Sequence, residues 1–497
     1  MSLRRSGLLV LCSSLLLARG FGQLERPLFW RGVYLFGLPQ PTNGPVFFSN
    51  LSDSLHLNLF QVRTFGIAAG KERNEFFLRN PKNLKVVNQS TVLATASDAT
   101  DAALPDRLAE SIESETRALA QYSNNFRFYL ADEPDEDKLD AFASTSKRVQ
   151  QSHKRAKTVT ALLADHDRFV KAAGLSEVLV ETYFLKNDTP HPSLVDMDSV
   201  STHAGIVAWG DSGYAWYLGG LQQHMNEVLA GTVRPAAETA QESRGKVRLI
   251  FVPQLHGVLD STKKKYDRDD DLHNNLVLRP PSPAEIRVQY YIGLAYGARG
   301  FLAYPYGFDA GYERSPETYP GLVSGDPSQV NHSSNFDTLY GKPIWTGYHE
   351  KWLEVAAMNK RLEAIGQTLL CLNWIGAKSW TMDPREWKPM TVSCGKWNNI
   401  VTGCSATTLS GYRDDLPQVE IGHLRSCKSD YIVVVNRRCS NEDTAQVTIV
   451  LNDAVLEKGK RWKVTDIGRR VSMIVSEGQS FMDRFDPGAG KIYRLSK

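Results

Sequence analysis

Phe126-Arg127-Phe128-Tyr129-Leu130-Ala131-Asp132-Glu133-Pro134, a stretch of helical periodicity from Lys138 to His153, and Thr158-Val159-Thr160-Ala161-Leu162-Leu163 make up the segment whose reading decides the fold. Two short apolar, β-branched or aromatic runs separated by an amphipathic helix read as a strand–helix–strand unit, because a helix-long crossover returns the chain to pair in parallel. The same rhythm extends in both directions. Upstream lie Trp30 to Phe36, Leu57 to Thr64 and Leu84 to Val87; downstream lie Glu177 to Thr182, Val247 to Val252 and Gly300 to Ala303. With Phe126 to Leu130 and Thr158 to Leu163 the strands number eight, and Gly205 to Trp209 competes for a place among them. Leu104 to Gln121, Gly213 to Leu229 and Ala284 to Ala298 supply further helices with an apolar face. Ser282-Pro283-Ala284-Glu285 opens the last of these, Ser282 suited to capping and Pro283 to the first turn.

Tyr348 to Leu370 is one more amphipathic helix, with Trp352, Val355, Ala356, Leu362, Ile365 and Leu369 on one side, placed to close the barrel. The rhythm then changes to strands without long helices: Tyr431 to Val435, Gln446 to Leu451, Trp462 to Thr465, Val471 to Val475 and Lys491 to Leu495. The expected fold class is therefore α/β, a (β/α)₈ TIM barrel over residues 23–370 followed by a smaller all-β antiparallel sandwich over 371–497.

Residues 1–22 read as a secretory signal: Arg4 and Arg5, an apolar run from Gly7 to Ala18, then Gly20 and Gly22. The run is too short for a confident membrane span, so the expectation is an extracytoplasmic protein, periplasmic or extracellular, with no stable span after cleavage. Cys12 would leave with the signal. Cys371, Cys394, Cys404, Cys427 and Cys439 all fall in the last quarter, where export would allow disulfide staples within the C-terminal domain and leave one thiol over. Asn50, Asn88, Asn187 and Asn331 head sequons that serve as glycan acceptors only in a eukaryotic secretory route. The chain of 497 residues has 42% apolar and 23% charged residues, ordinary for a packed protein. Its net charge of +3, from 58 basic and 55 acidic residues, sets up no field for nucleic acid or an anionic membrane.

In βα barrels chemistry collects where strands end at the C-terminal face. The fourth run leads directly into Asp132 and Glu133, adjacent carboxylates at the mouth, where crowding and partial burial can raise one pKa and make a general acid. A bland alternative has Asp132 capping the next helix and Glu133 joining a solvated acidic stretch with Asp135, Glu136 and Asp137.

This strand end resembles the Asn-Glu-Pro acid/base position of many barrel glycosidases, differing at its first residue. The Asp-Glu pair is also similar to that of hexosaminidase-type and N-acetylgalactosaminidase-type enzymes. That resemblance implies a carbohydrate substrate, Glu133 as acid, and Asp132 orienting a substrate acetamido group that serves as internal nucleophile. Glu285-Ile286-Arg287 through Tyr304 looks like the last helix and strand of such barrels, and Tyr431 to Asn436 with Phe485-Asp486-Pro487 to Tyr493 like their appended sandwich. Retaining relatives carry a second carboxylate after strand seven. Here that strand ends Val252-Pro253-Gln254-Leu255-His256-Gly257, and an amide cannot form a glycosyl ester. The substrate then supplies its own nucleophile, another carboxylate such as Glu181 serves, or the protein is a secreted carbohydrate-binding or structural barrel that has lost catalysis.

Glu181 after run six faces the mouth or pairs with a rim Arg, and Tyr183 hydrogen-bonds a sugar or packs at the rim. Arg63, Gln254 and Tyr304, with Tyr306, are the remaining strand-end candidates for substrate binding. Trp209, Tyr214 and Trp216 form an aromatic cluster suited either to stacking on a pyranose or to core packing. Asp267, Asp269 and Asp271 begin a calcium-loop spacing, but Leu272 stands at its glycine position. No zinc pattern, phosphate loop or Gly-x-Ser-x-Gly elbow occurs, so neither metal nor cofactor is expected.

Overall fold

A computed structural model of the protein describes residues 27–35, 44–64, 75–185, 213–256, 258–259, 276–278, 281–306, 322, 348–383 and, with short interruptions, 386–496. Trp209, Asp267, Asp269, Asp271, Gly205–Trp209 and the signal segment lie outside them.

Eight parallel strands close into a barrel: β1 (Trp30–Leu35), β2 (Leu59–Thr64), β3 (Lys85–Ser90), β4 (Asn125–Asp132), β5 (Thr158–Leu162), β6 (Glu177–Glu181), β7 (Arg248–Val252) and β8 (Gly300–Ala303). Each pairs with its sequence neighbours, and β1 pairs with β8 to complete the ring. Period-two alternation sorts the side chains. Tyr34, Leu59, Val87, Tyr129, Val159, Ala161, Leu179, Ile250, Val252 and Leu302 fill the interior, while Val33, Phe60, Val86, Phe128, Val178, Val180, Phe251 and Phe301 pack outward against the helices. The helix at Pro283–Ala295 begins with the expected capping box: Ser282 Oγ accepts from the Glu285 amide at 3.3 Å, and the Glu285 carboxylate accepts from the Ser282 amide at 2.8 Å. Its residues are buried all round because the barrel covers one side and the C-terminal domain the other. The Tyr348–Leu370 helix buries Trp352, Val355, Met358, Leu362 and Leu369.

The C-terminal region is antiparallel, as the late strand-like runs predict, but contains five strands that sequence reading did not pick out. The full set is β9 (Asn373–Asp383), β10 (Lys388–Gly395), β11 (Val401–Thr408), β12 (Val419–Arg425), β13 (Asp430–Asn436), β14 (Ala445–Leu451), β15 (Trp462–Asp466), β16 (Val471–Val475), β17 (Ser480–Phe485) and β18 (Gly490–Ser496). One sheet runs β10-β9-β12-β13-β18-β15-β16 and the other β11-β14-β17. The missed strands include β10, with its charged and polar composition, and β12, interrupted by Gly422 and His423. On β12 and β13, Val419, Ile421, Ile432 and Val434 face the smaller sheet, while Leu424, Tyr431, Val433 and Val435 face the barrel. The larger sheet is thus covered on both faces, which accounts for near-continuous apolar runs in place of clean alternation.

The expected disulfides do not form: no bond joins Cys371, Cys394, Cys404, Cys427 and Cys439. Cys394 lies on β10 and Cys404 on β11, in different sheets, and Cys439 is buried against the Ala284 carbonyl at the barrel seam. Burial pushes the Cys394 thiol up to about 11 and the Cys404 thiol up to about 12, so neither is a ready thiolate.

The seam between the domains is close-packed. A Cβ on Gly422 would lie 1.9 Å from the Ala295 carbonyl oxygen, and one on Gly488 (φ +65°) 2.0 Å from that of Ala284. Backbone cannot yield as a flexible side chain does. Gly422→Ala is therefore expected to lower unfolding stability by about 1–3 kcal/mol or more, read as a reduced denaturation midpoint with the barrel's far-UV signal otherwise intact.

Candidate active site at the barrel mouth

The site starts from an irregularity in β4. Its pairing with β5 runs Phe128 to Thr158 and Tyr129 to Val159, then skips to Asp132 with Ala161, so β4 carries one extra residue. Leu130 and Ala131 both turn outward, and Asp132 reaches the interior side with Tyr129, whose hydroxyl donates to Asp132 Oδ1. The Tyr34 hydroxyl donates in turn to that of Tyr129 at 3.4 Å. Asp132 therefore ends a tyrosine chain and does not cap the following helix, whose N-cap position is held by Asp135. Glu133 comes next with φ +46°, a left-handed backbone that is uncommon for a side-chain-bearing residue and concentrates at functional sites. It is exposed to solvent.

Glu181 ends β6 on the inward face and is 6% exposed. The described neighbours that define its electrostatics are not cations: its carboxyl hydrogen-bonds with Glu133 and with the Tyr183 hydroxyl, while Oε2 has no partner in hydrogen-bonding geometry. Burial pushes its pKa well above the ordinary carboxylate value, Glu133 and Asp132 add like charge, and Tyr183 partly opposes them. Asp132 is also raised, by desolvation first, with the Tyr129 hydroxyl opposing and Glu133 reinforcing. The crowding expected of adjacent carboxylates thus acts on Asp132 through Glu133, after desolvation, and reaches across strands to Glu181.

A raised folded-state pKa gives a definite sign to the pH dependence. Between the ordinary value of 4.5 and the raised one, the folded protein holds a proton on Glu181 that the unfolded chain has released, so stability is greatest at acid pH and declines as pH rises. Glu181→Gln, which keeps the shape but cannot ionise, is expected to melt higher than wild type at pH 7 and to flatten that decline. Thermal melts from pH 4.5 to 8 measure it.

Aromatic rings floor the mouth. Tyr34 meets Tyr304 edge-on at 5.2 Å and Tyr129 at 6.0 Å; Tyr183 lies 6.0 Å from Tyr304 and 5.5 Å from His256. Burial lifts the hydroxyl pKa of Tyr34, Tyr129 and Tyr183 well above 10 and holds His256 down at about 3, so these groups are neutral. Lys351, brought down to about 7 by burial, donates to the Leu255 carbonyl at 3.0 Å and supports the end of β7.

Of the strand-end candidates, the structure brings Asp132, Glu133, Glu181, Tyr183 and Tyr304 together. Gln254 points inward but is spent on structure: its Oε1 accepts from the Leu185 amide at 3.3 Å and its Nε2 donates to the His256 carbonyl at 2.9 Å. Both ends of its amide are thus engaged by the backbone, and the residue is fully buried. Arg63 sits on β2 opposite Gln89, and its side chain, like those of Tyr214 and Trp216, is outside the described residues. Tyr306 is fully buried against Phe47 and Trp352, a packing residue. Sequence reading missed Tyr34, Tyr129 and His256. Tyr34 and Tyr129 lie on the inward side of β1 and β4, but the extra residue in β4 puts Tyr129 three positions before Asp132, so counting back by twos from that strand end misses it.

No group of described residues has the composition and spacing of a metal site, and no described helix is long and apolar enough to cross a membrane. No family model matches the chain, and no curated protein matches it by sequence. Solved structures do. A β-galactosidase from Bacillus circulans sp. alkalophilus superposes with a TM-score of 0.54 at 8% identity, covering 95% of this chain and 99% of that one. A glycoside hydrolase family 5 protein from Bacteroides vulgatus ATCC 8482 gives 0.47 at 9% identity over 95% and 90% of the two chains. A putative alpha-galactosidase from Bacteroides fragilis NCTC 9343 gives 0.45 at 9% over 94% and 80%. At such identities the likeness shows the fold alone, and in fold this chain is a TIM barrel followed by antiparallel C-terminal β-sheets.

Proposed function

We propose that the barrel mouth hydrolyses O-glycosidic bonds of a carbohydrate substrate, with Glu133 as general acid and then general base. The observation that carries this reading is the convergence of Asp132, Glu133 and Glu181 on a floor of tyrosines, with Asp132 and Glu133 open to solvent beside buried Glu181. Glu181, buried and favouring its protonated form, keeps a proton beside Glu133 for the leaving oxygen. Asp132, anchored by Tyr129, orients a substrate acetamido group or tunes Glu133. Chemistry of this kind runs on carboxyl groups and needs no cofactor. The apolar run from Gly7 to Ala18 supports export, so the proposed setting is extracytoplasmic. A panel of aryl glycosides, with and without 2-acetamido groups, tests the activity, and a Glu133→Gln protein as active as wild type overturns it.

A second reading, carbohydrate binding without turnover, is favoured by the amide of Gln254 being locked into backbone hydrogen bonds at the end of β7. Glycan binding undiminished in Glu133→Gln, with no hydrolysis by wild type, would support it.

A further inference from the structure

A groove that shares no lining residue with the mouth runs between the Tyr348–Leu370 helix and the larger C-terminal sheet. On the helix side it is lined by Ala357, Lys360, Arg361, Ala364, Ile365 and Thr368, whose spacing of three and four keeps one face open over about 16 Å. Ala357, Ala364 and Thr368 are small, and all three stay exposed. Two adjoining cavities of about 570 and about 290 Å³ make up the groove, with Ala364, Ile365, Ile467 and Gly468 common to both.

Seven cations line these cavities against two carboxylates, Asp466 and Asp486. Asp483, behind the wall, holds Arg469 at 3.3 Å and Lys491 at 2.6 Å. Asp466 Oδ1 is taken up by the turn between β15 and β16, accepting from the Gly468 amide at 2.8 Å and the Arg469 amide at 3.0 Å. Arg361 donates to the neutral hydroxyl of Tyr291. Lys360 on the helix, Arg470 in the turn, Arg484 on β17 and Arg494 on β18 have no carboxylate within salt-bridge distance among the described residues. Uncompensated charge of one sign on both walls of a recess focuses the field into it, and a bound anion relieves the mutual repulsion.

We propose that this groove binds a linear anionic glycan through sulfate or carboxylate groups set along its chain. Guanidinium forks pair with both kinds of group in two-point fashion, and four of the five cations without a carboxylate are arginines. Ile365, Ile467 and Ile492 give the groove an apolar floor for the C–H faces of sugar rings. Single-stranded nucleic acid needs open aromatic faces for its bases, whereas the two tyrosines here, Tyr291 and Tyr431, are only 2% and 8% exposed. The choice of a glycan over an acidic peptide rests on the glycosidase reading, in which the groove gives the protein a hold on its polymer apart from the point of cleavage.

Titration calorimetry of the full chain at low salt should detect binding of heparin-derived oligosaccharides, of oligogalacturonate, or of both, weakening as salt is added. The first probe offers sulfate and the second carboxylate alone, so their order tells which group the groove prefers. Lys360→Gln/Arg484→Gln should weaken that binding at least about tenfold while hydrolysing aryl glycosides as wild type does. Lys154→Gln, which removes an exposed cation of the barrel, should bind as wild type does. Failure of both probes to bind, an unchanged affinity in the double variant, or an equal loss in Lys154→Gln overturns the proposal. Tighter binding of oligo(dT) or polyglutamate than of either glycan overturns it as well. Wild-type protein that hydrolyses no aryl glycoside overturns the reading of the mouth and leaves glycan binding in the groove standing.

Discussion

Glu133→Gln is expected to lower kcat on a hydrolysed aryl glycoside by about 10²- to 10⁴-fold, the range for loss of a positioned acid or base. The amide keeps the size of the side chain and its left-handed backbone at φ +46°, so the protein should fold as wild type does. What it loses is a transferable proton. The deficit should therefore grow with the basicity of the leaving group, being smallest for dinitrophenyl and largest for alkyl glycosides. The limb of the pH–rate profile that reports the acid should also disappear. A structural role for Glu133 would instead depress all leaving groups equally and shift the melting temperature. That comparison separates the two, and it is independent of which group attacks C1.

The second large effect is on stability. Arg437→Leu is expected to cost about 3–5 kcal/mol, because it strands a charge at the domain seam. Glu420 is fully buried on β12, where it accepts from Tyr296 at 2.9 Å, from Ser379 at 2.7 Å and from Arg437 at 3.2 Å. Arg437 also donates to Asn226 at 2.7 Å, and Arg234 reaches Ser379 at 2.9 Å, so the network ties three barrel-side residues to the larger sheet. Removing the guanidinium leaves Glu420 with neutral donors alone. The measurement is the denaturant midpoint of the C-terminal domain followed by the fluorescence of its tryptophans. The double variant Arg437→Leu/Glu420→Leu should recover part of the loss, since replacing both partners removes the stranded charge.

Most of the barrel was legible because each βα unit is encoded locally. Strands β4 and β5 and the helix between them declare themselves by apolar period, and Ser282 with Glu285 marks a helix start within four residues of chain. Asp132 and Glu133 could be placed at the mouth by the same logic. The C-terminal sheets were less legible because β12 is buried on both faces and broken by Gly422 and His423, and β10 has little apolar content. The cysteines misled for another reason: an exported chain allows disulfides, but pairing depends on which strands become neighbours.

The sequence by itself determined the barrel, the antiparallel C-terminal region and the strand end that carries Asp132 and Glu133, since hydrophobic period and capping are properties of contiguous residues. Only the tertiary structure decided how the site is composed. The extra residue that turns Asp132 to the Tyr129 side exists only against the register of β5, and Glu181 meets Glu133 only because β4 and β6 flank β5 in the barrel wall. Likewise the capture of Gln254 by the backbone at Leu185 and His256 depends on β6 and β7 lying side by side. Contacts between strands follow from barrel closure and stagger, which no single stretch of sequence contains.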